Sequence, residues 1–130
     1  KGESAMRNLE SIFEHLSSNG HQLVNHTWAP REEFLKICYS MDIGMQVSFS
    51  ETFNIVGADL ISQGVPIIGS DEIPWLFNFY TAKPTESEEI TKKLMLIYYT
   101  PNCNVKINRY LLNRYTNKTR KIWLKYFNKK

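Results

Sequence analysis

Apolar residues recur along this chain in two rhythms, and the changes between them mark out its elements. Met6, Leu9, Ile12, Phe13 and Leu16 stand three and four apart, which predicts a helix over 3–18 that stops at Ser17-Ser-Asn-Gly20. Gln22–His26 reads as a short strand and Thr27–Pro30 as a loop, with Pro30 suited to the first turn of the next helix. That helix, Arg31–Ser40, carries Phe34, Leu35, Ile37 and Cys38. Asp42–Val47 follows as a strand. Phe53–Ser62 then returns to helical spacing through Ile55, Val56, Ala58, Leu60 and Ile61. Gly64 suits a helix C-terminus, because it tolerates the left-handed backbone of a cap. Val65-Pro-Ile-Ile-Gly69 is short and wholly apolar, as in a strand covered on both faces.

Strand, helix and strand joined by tight turns make a βαβ unit, whose functional end lies after the first strand. Beyond it, Phe77–Thr81 reads as an edge strand and Thr85-Glu-Ser-Glu88 as a capping box. The box opens a helix to about Tyr99, with Ile90, Leu94 and Ile97 inward, and Pro101–Asn104 breaks it. Val105–Phe127 reads as a long helix, bent near Thr116–Thr119 where helix propensity is low. The fold class is therefore α/β: a Rossmann-like parallel sheet flanked by helices over 1–104, followed by a separate helix over 105–130.

The loop after the first long strand concentrates the candidate chemistry. Ser48, Ser50, Glu51 and Thr52 can each accept bonds from the unpaired N–H groups of a helix start. Glu51 and Asp59 lie eight residues apart, which at 100° per residue returns Asp59 to within roughly 80° of the starting direction. Both acids can then face one ligand whose phosphates rest on the helix N-terminus. The plainer alternative makes Glu51 a cap residue and Asp59 a solvated helix position.

The pattern Ser48-x-x-Glu51-x-Phe53-x-x-Val56-x-x-Asp59, followed by Gly64-Val-Pro-Ile-Ile68, resembles a known family signature. It is similar to the donor site of retaining glycosyltransferases of the GT-B fold, family-four type, over about thirty residues. The resemblance implies a C-terminal, donor-binding domain whose first part lies upstream, in a transferase of hexosyl type. It implies that Glu51 binds donor-sugar hydroxyls and that Asp59 accepts the ribose hydroxyls. The amides near Phe53, Asn54 and Ile55 would meet phosphate or sugar. Ser48 and Ser50 would line the loop, and Trp28 would either stack on the base or pack its own loop. The family usually has Gly where this chain has Asn54, and Glu where it has Asp59. Lys1-Gly2 matches a phosphate-binding pair of the family, but the number of strands between it and the acids places Lys1 in a later loop. The substrate would be a nucleotide diphosphate-sugar, with no metal and no further cofactor. An acceptor domain, absent from these residues, would be the partner, without which the chain would not turn over.

Composition narrows the class. A chain of 130 residues with 42% hydrophobic content is one globular domain's worth. No apolar run approaches bilayer length, and Cys38 and Cys103 lack metal spacing, so a reduced cytoplasmic setting is expected. His15, His21 and His26 have neither metal spacing nor a nucleophile partner. Net charge is +3, yet residues 106–130 hold nine bases and no acid, leaving seven bases against thirteen acids elsewhere. Interleaved with those bases are Tyr110, Tyr115, Ile122, Trp123, Tyr126 and Phe127. Three roles fit: a brace on the acceptor domain, a basic helix on an anionic membrane, and nucleic-acid binding, which has charge but no stacking platform. The competing reading of the whole chain is a non-catalytic α/β interaction module that docks through this helix.

Overall fold

The computed structural model describes residues 21–128, together with Ser11, Glu14, Ser17, Ser18 and Gly20. The chain divides into two compact units, Lys1–Pro30 and Arg31–Lys130. In the first, Ser11, Glu14 and Ser17 are helical. The rest of the helix expected over 3–18 lies outside the described residues, as does Lys1. Gln22–His26 is irregular rather than a strand. Its two apolar residues are neighbours, so a strand would need cover on both faces, whereas Leu23 and Val24 are 41% and 64% exposed.

The second unit holds four helices and a two-stranded sheet among the described residues: α1 (Arg31–Tyr39), β1 (Gly44–Gln46), α2 (Ile55–Gln63), β2 (Ile67–Gly69), α3 (Ser87–Tyr99) and α4 (Pro101–Phe127), with a 3₁₀ turn at Asn78–Tyr80. β1 and β2 are parallel, pairing Gly44 with Ile67, Met45 with Ile68 and Gln46 with Gly69. Because successive strand residues point to opposite faces, Ile67 and Ile68 enter different cores. Ile67 joins Cys38, Leu60, Ile61, Val65, Ile73, Trp75 and Leu76; Ile68 joins Tyr80, Ala82 and Ile97. The fully apolar run of β2 is thus explained by cover on both sides. Gly44 sits in close approach to α2, since a Cβ there would meet Leu60 Cδ1 and force that side chain to shift. Gly64 takes φ +88° at the C-terminus of α2, and its N–H is directed to the carbonyls of Leu60 and Ile61.

Within the second unit, four features depart from the sequence reading. Phe77–Thr81 is not a strand: the 3₁₀ turn brings the rings of Phe77, Phe79 and Tyr80 within 5.4–6.3 Å of one another, which an alternating strand would prevent. Thr81 alone bridges to Gly69. No capping box forms, because Pro84 sets a turn closed by the Glu86 N–H on the Lys83 carbonyl, and α3 starts after it with Glu86 as a cap whose side chain makes no bond. Pro101 does not break a helix but opens α4 at its first position, where a missing N–H costs nothing. Finally, α4 runs unbroken through Thr116–Thr119. The division at 104/105 falls inside α4, where Asn104 and Asn108 are wholly buried.

Candidate functional site

The carboxyl ends of β1 and β2 and the start of α2 meet at one loop, 47–54. Ser70, just after β2, pins it. Its side chain is 1% exposed, its hydroxyl accepts the Ser48 N–H at 2.9 Å, and it donates to the Ser48 carbonyl at 2.8 Å. The Ser70 N–H in turn reaches the Gln46 carbonyl at 3.2 Å. Thus fixed, Ser48 donates its own hydroxyl to the Glu51 carboxylate at 2.5 Å, the short distance of a charge-assisted bond. The Glu51 N–H donates to the carboxylate of Glu72 at 2.8 Å. Ser50 is exposed and offers its carbonyl to the Ser48 hydroxyl at 3.4 Å.

The cap of α2 is Asn54, not the Ser48–Thr52 cluster. Its Oδ1 accepts the Gly57 N–H at 2.6 Å and its carbonyl accepts that of Ala58 at 3.1 Å. Asn54 has φ +56°, ψ +80°, the one non-glycine residue with positive φ among those described. The position needs a left-handed residue, which Gly supplies freely and Asn tolerates best after it. The Asn54 side chain is turned inward and 8% exposed, with Nδ2 donating to Gln46 at 3.3 Å, so it leaves the loop's outer surface open.

Phe53 contributes through its backbone. Its carbonyl accepts the Trp75 indole N–H at 2.5 Å and its ring packs on Trp75 and Tyr115, with centroids 6.2 and 5.9 Å away. Ile55 is 65% exposed. The N–H groups of Ile55 and Val56 have no protein acceptor among the described residues, as expected for the first turn of a helix.

Among the described residues, Asp59 shares no hydrogen bond with this loop cluster. It is 6% exposed within α2, and the guanidinium of Arg31 forks it, Nη1 to Oδ2 at 2.6 Å and Nη2 to Oδ1 at 2.7 Å. The bond and charge of Asp59 raise the Arg31 pKa. Glu51 and Asp59 therefore have different partners, Ser48 and Arg31. A carboxylate offers about four lone-pair directions, of which the Arg31 fork takes two. Burial, and then the nearby Asp59 charge, push the Cys38 thiol up. Trp28, in the other unit, is 89% exposed, so its ring is not packed into its loop.

Arg31 and Ser70 escaped the sequence reading. Arg31 carried a signal: a base at a helix start opposes the helix dipole, which points to a carboxylate partner. Ser70 carried none, since a serine after a strand is ordinary. Among the described residues, no three His, Cys, Asp or Glu side chains gather as a metal site would require. In comparisons with protein-family models, with curated proteins and with solved structures, nothing matches the chain.

Proposed function

We propose that this chain binds a nucleotide diphosphate-sugar as the donor-binding part of a retaining glycosyltransferase, with its βαβ unit forming part of a Rossmann-like GT-B domain. The observation that carries the reading is the α2 start: the Ile55 and Val56 amides, without a protein acceptor among the described residues, directly follow a loop that fixes the Glu51 carboxylate through Ser48 and Ser70. A diphosphate resting on those amides gains from the helix dipole, and its charge as a leaving group is stabilised at the same place. Glu51 accepts donor-sugar hydroxyls, and Asp59, oriented by Arg31, accepts the ribose diol with its free lone pairs. Transfer further requires an acceptor domain as partner.

One observation favours the second reading, a non-catalytic α/β interaction module. The fork from Arg31 already satisfies Asp59 without any ligand. Titration with uridine and guanosine diphosphate-sugars separates the two. Saturable binding, weakened roughly tenfold or more by Glu51→Ala and by Asp59→Ala, supports the donor site, because each charged hydrogen bond is worth about 1.5–3 kcal/mol. A folded chain that binds neither donor at millimolar concentration overturns it.

A further inference from the structure

One row of α4 changes its surroundings along the helix. Asn104, Asn108, Leu111, Tyr115, Thr119, Ile122 and Tyr126 follow the i, i+4, i+7 spacing of a single face. The first two are wholly buried and Tyr115 packs against the core, but Ile122 is 60% and Tyr126 67% exposed. Trp123 and Phe127, on the adjoining row, are 55% and 63% exposed. The three rings at this end already form a cluster: Trp123 and Phe127 stack at 5.6 Å, and Tyr126 stands edge-on to both at 6.2 and 5.7 Å. An exposed apolar group of this kind marks an interaction surface rather than ordinary surface.

On the row's other side lie Arg114, Lys118, Lys121 and Lys125, again at i, i+4, i+7 and i+11. None has an ion-pair partner among the described residues. The second half of α4 therefore sets an aromatic row beside a basic row with no acid to neutralise it. We propose that Thr116–Phe127 docks flat on an anionic lipid bilayer, with Ile122, Trp123, Tyr126 and Phe127 in the acyl boundary and the lysines at the headgroups. Indole and phenol rings suit that depth because one end is apolar and the other can hydrogen-bond. Charge complementarity selects the surface: an acid-free run of bases is attracted to anionic headgroups. An aliphatic Ile122 in the middle of the row offers nothing to a stacked nucleobase but buries readily in lipid. No described helix is long and apolar enough to cross a membrane, so the contact proposed is interfacial. It does not depend on the donor site.

The test is sedimentation of the full 130-residue chain with phosphatidylcholine vesicles, without and with roughly one-third phosphatidylserine. Binding to the anionic vesicles alone, weakened as salt rises, is expected. Changing Lys118, Lys121 and Lys125 together to Gln should lower partitioning about a hundredfold, at ~1 kcal/mol per charge. Trp123→Ala with Phe127→Ala should lower it about tenfold or more. Circular dichroism of both variants should match the unaltered chain, since the residues changed are exposed. Equal binding to both vesicle types, no binding at low salt, or binding that neither variant weakens overturns the proposal. So does tighter binding to a single-stranded oligonucleotide than to the anionic vesicles.

Discussion

The two halves of α4 lie on one unbroken helix and on one continuous row, yet they invert the usual rule of burial. In the first half the residues sealed from water are polar: Asn104 bonds both the N–H and the carbonyl of Ile67, at 3.0 and 2.9 Å. Asn108 accepts the Phe77 N–H at 2.9 Å and donates to Asn104 at 3.3 Å. In the second half the residues in water are aromatic. A buried polar side chain is tolerated where it satisfies backbone groups that would otherwise lose hydrogen bonds. Exposed aromatics have no such internal justification. The difference separates a half of the helix that builds the fold from a half free to serve a partner.

The sharpest way to break this comparison is Asn104→Ala. It strands the Ile67 N–H and carbonyl in a dry core, and a loss of about 3 kcal/mol in urea unfolding is expected. A change under about 0.5 kcal/mol would mean that the asparagine pair does not hold the helix to the sheet. Next comes Asn54, a buried asparagine with a purely local task. Asn54→Ala should cost about 2 kcal/mol, combining the lost cap with a left-handed alanine, while Asn54→Gly should cost only a few tenths. Similar losses from both would show that φ at position 54 is not the constraint.

The two thiols give a smaller effect with a definite sign. The folded Cys38 thiol is raised by burial, so the folded chain keeps a proton that the unfolded chain releases. Its stabilising contribution is fully present below the ordinary thiol value near 9.0 and is lost as pH climbs through the folded value. The buried Tyr80 phenol, also raised, acts in the same direction above 10.0. Unfolding midpoints should therefore fall at alkaline pH, and a thiol reagent should label exposed Cys103 in the native chain before Cys38. Last, Trp123→Ala should leave stability within about 0.5 kcal/mol, as exposed positions usually do. A larger loss would place the aromatic end of α4 within the fold after all.

What could be read in the sequence was local. The βαβ core showed itself because Gly64 and the apolar run Val65–Gly69 leave few alternatives over so short a stretch, and Ile90, Leu94 and Ile97 marked the inner face of α3. What could not be read depends on distant partners. Asn104 lies 37 residues from Ile67, and Arg31 lies 28 from Asp59; neither spacing leaves a periodic trace. Where local rules compete, the sequence does not mark which one prevails. Thr85 and Glu88 fit a capping box, but Pro84 one residue earlier already committed the backbone to a turn. Pro101 reads as an end because prolines stop helices, though they also start them at the first position. At the candidate site, Ser48 and Glu51 were legible as a polar loop, whereas the left-handed Asn54 became readable only with its dihedral angles.

The carboxamide of Asn104 presents an N–H and a C=O side by side, as a peptide group does, and it meets Ile67 as a neighbouring strand would. Two residues on, Gly69 has its carbonyl taken by the Ala82 N–H at 2.9 Å. The margin of β2 facing away from β1 is thereby sealed by a helix side chain and a passing loop. An unsealed margin of this kind recruits strands from other molecules. Replacing Asn104 would therefore expose an adhesive edge as well as loosen the core, and the variant should self-associate with rising concentration while the unaltered chain does not.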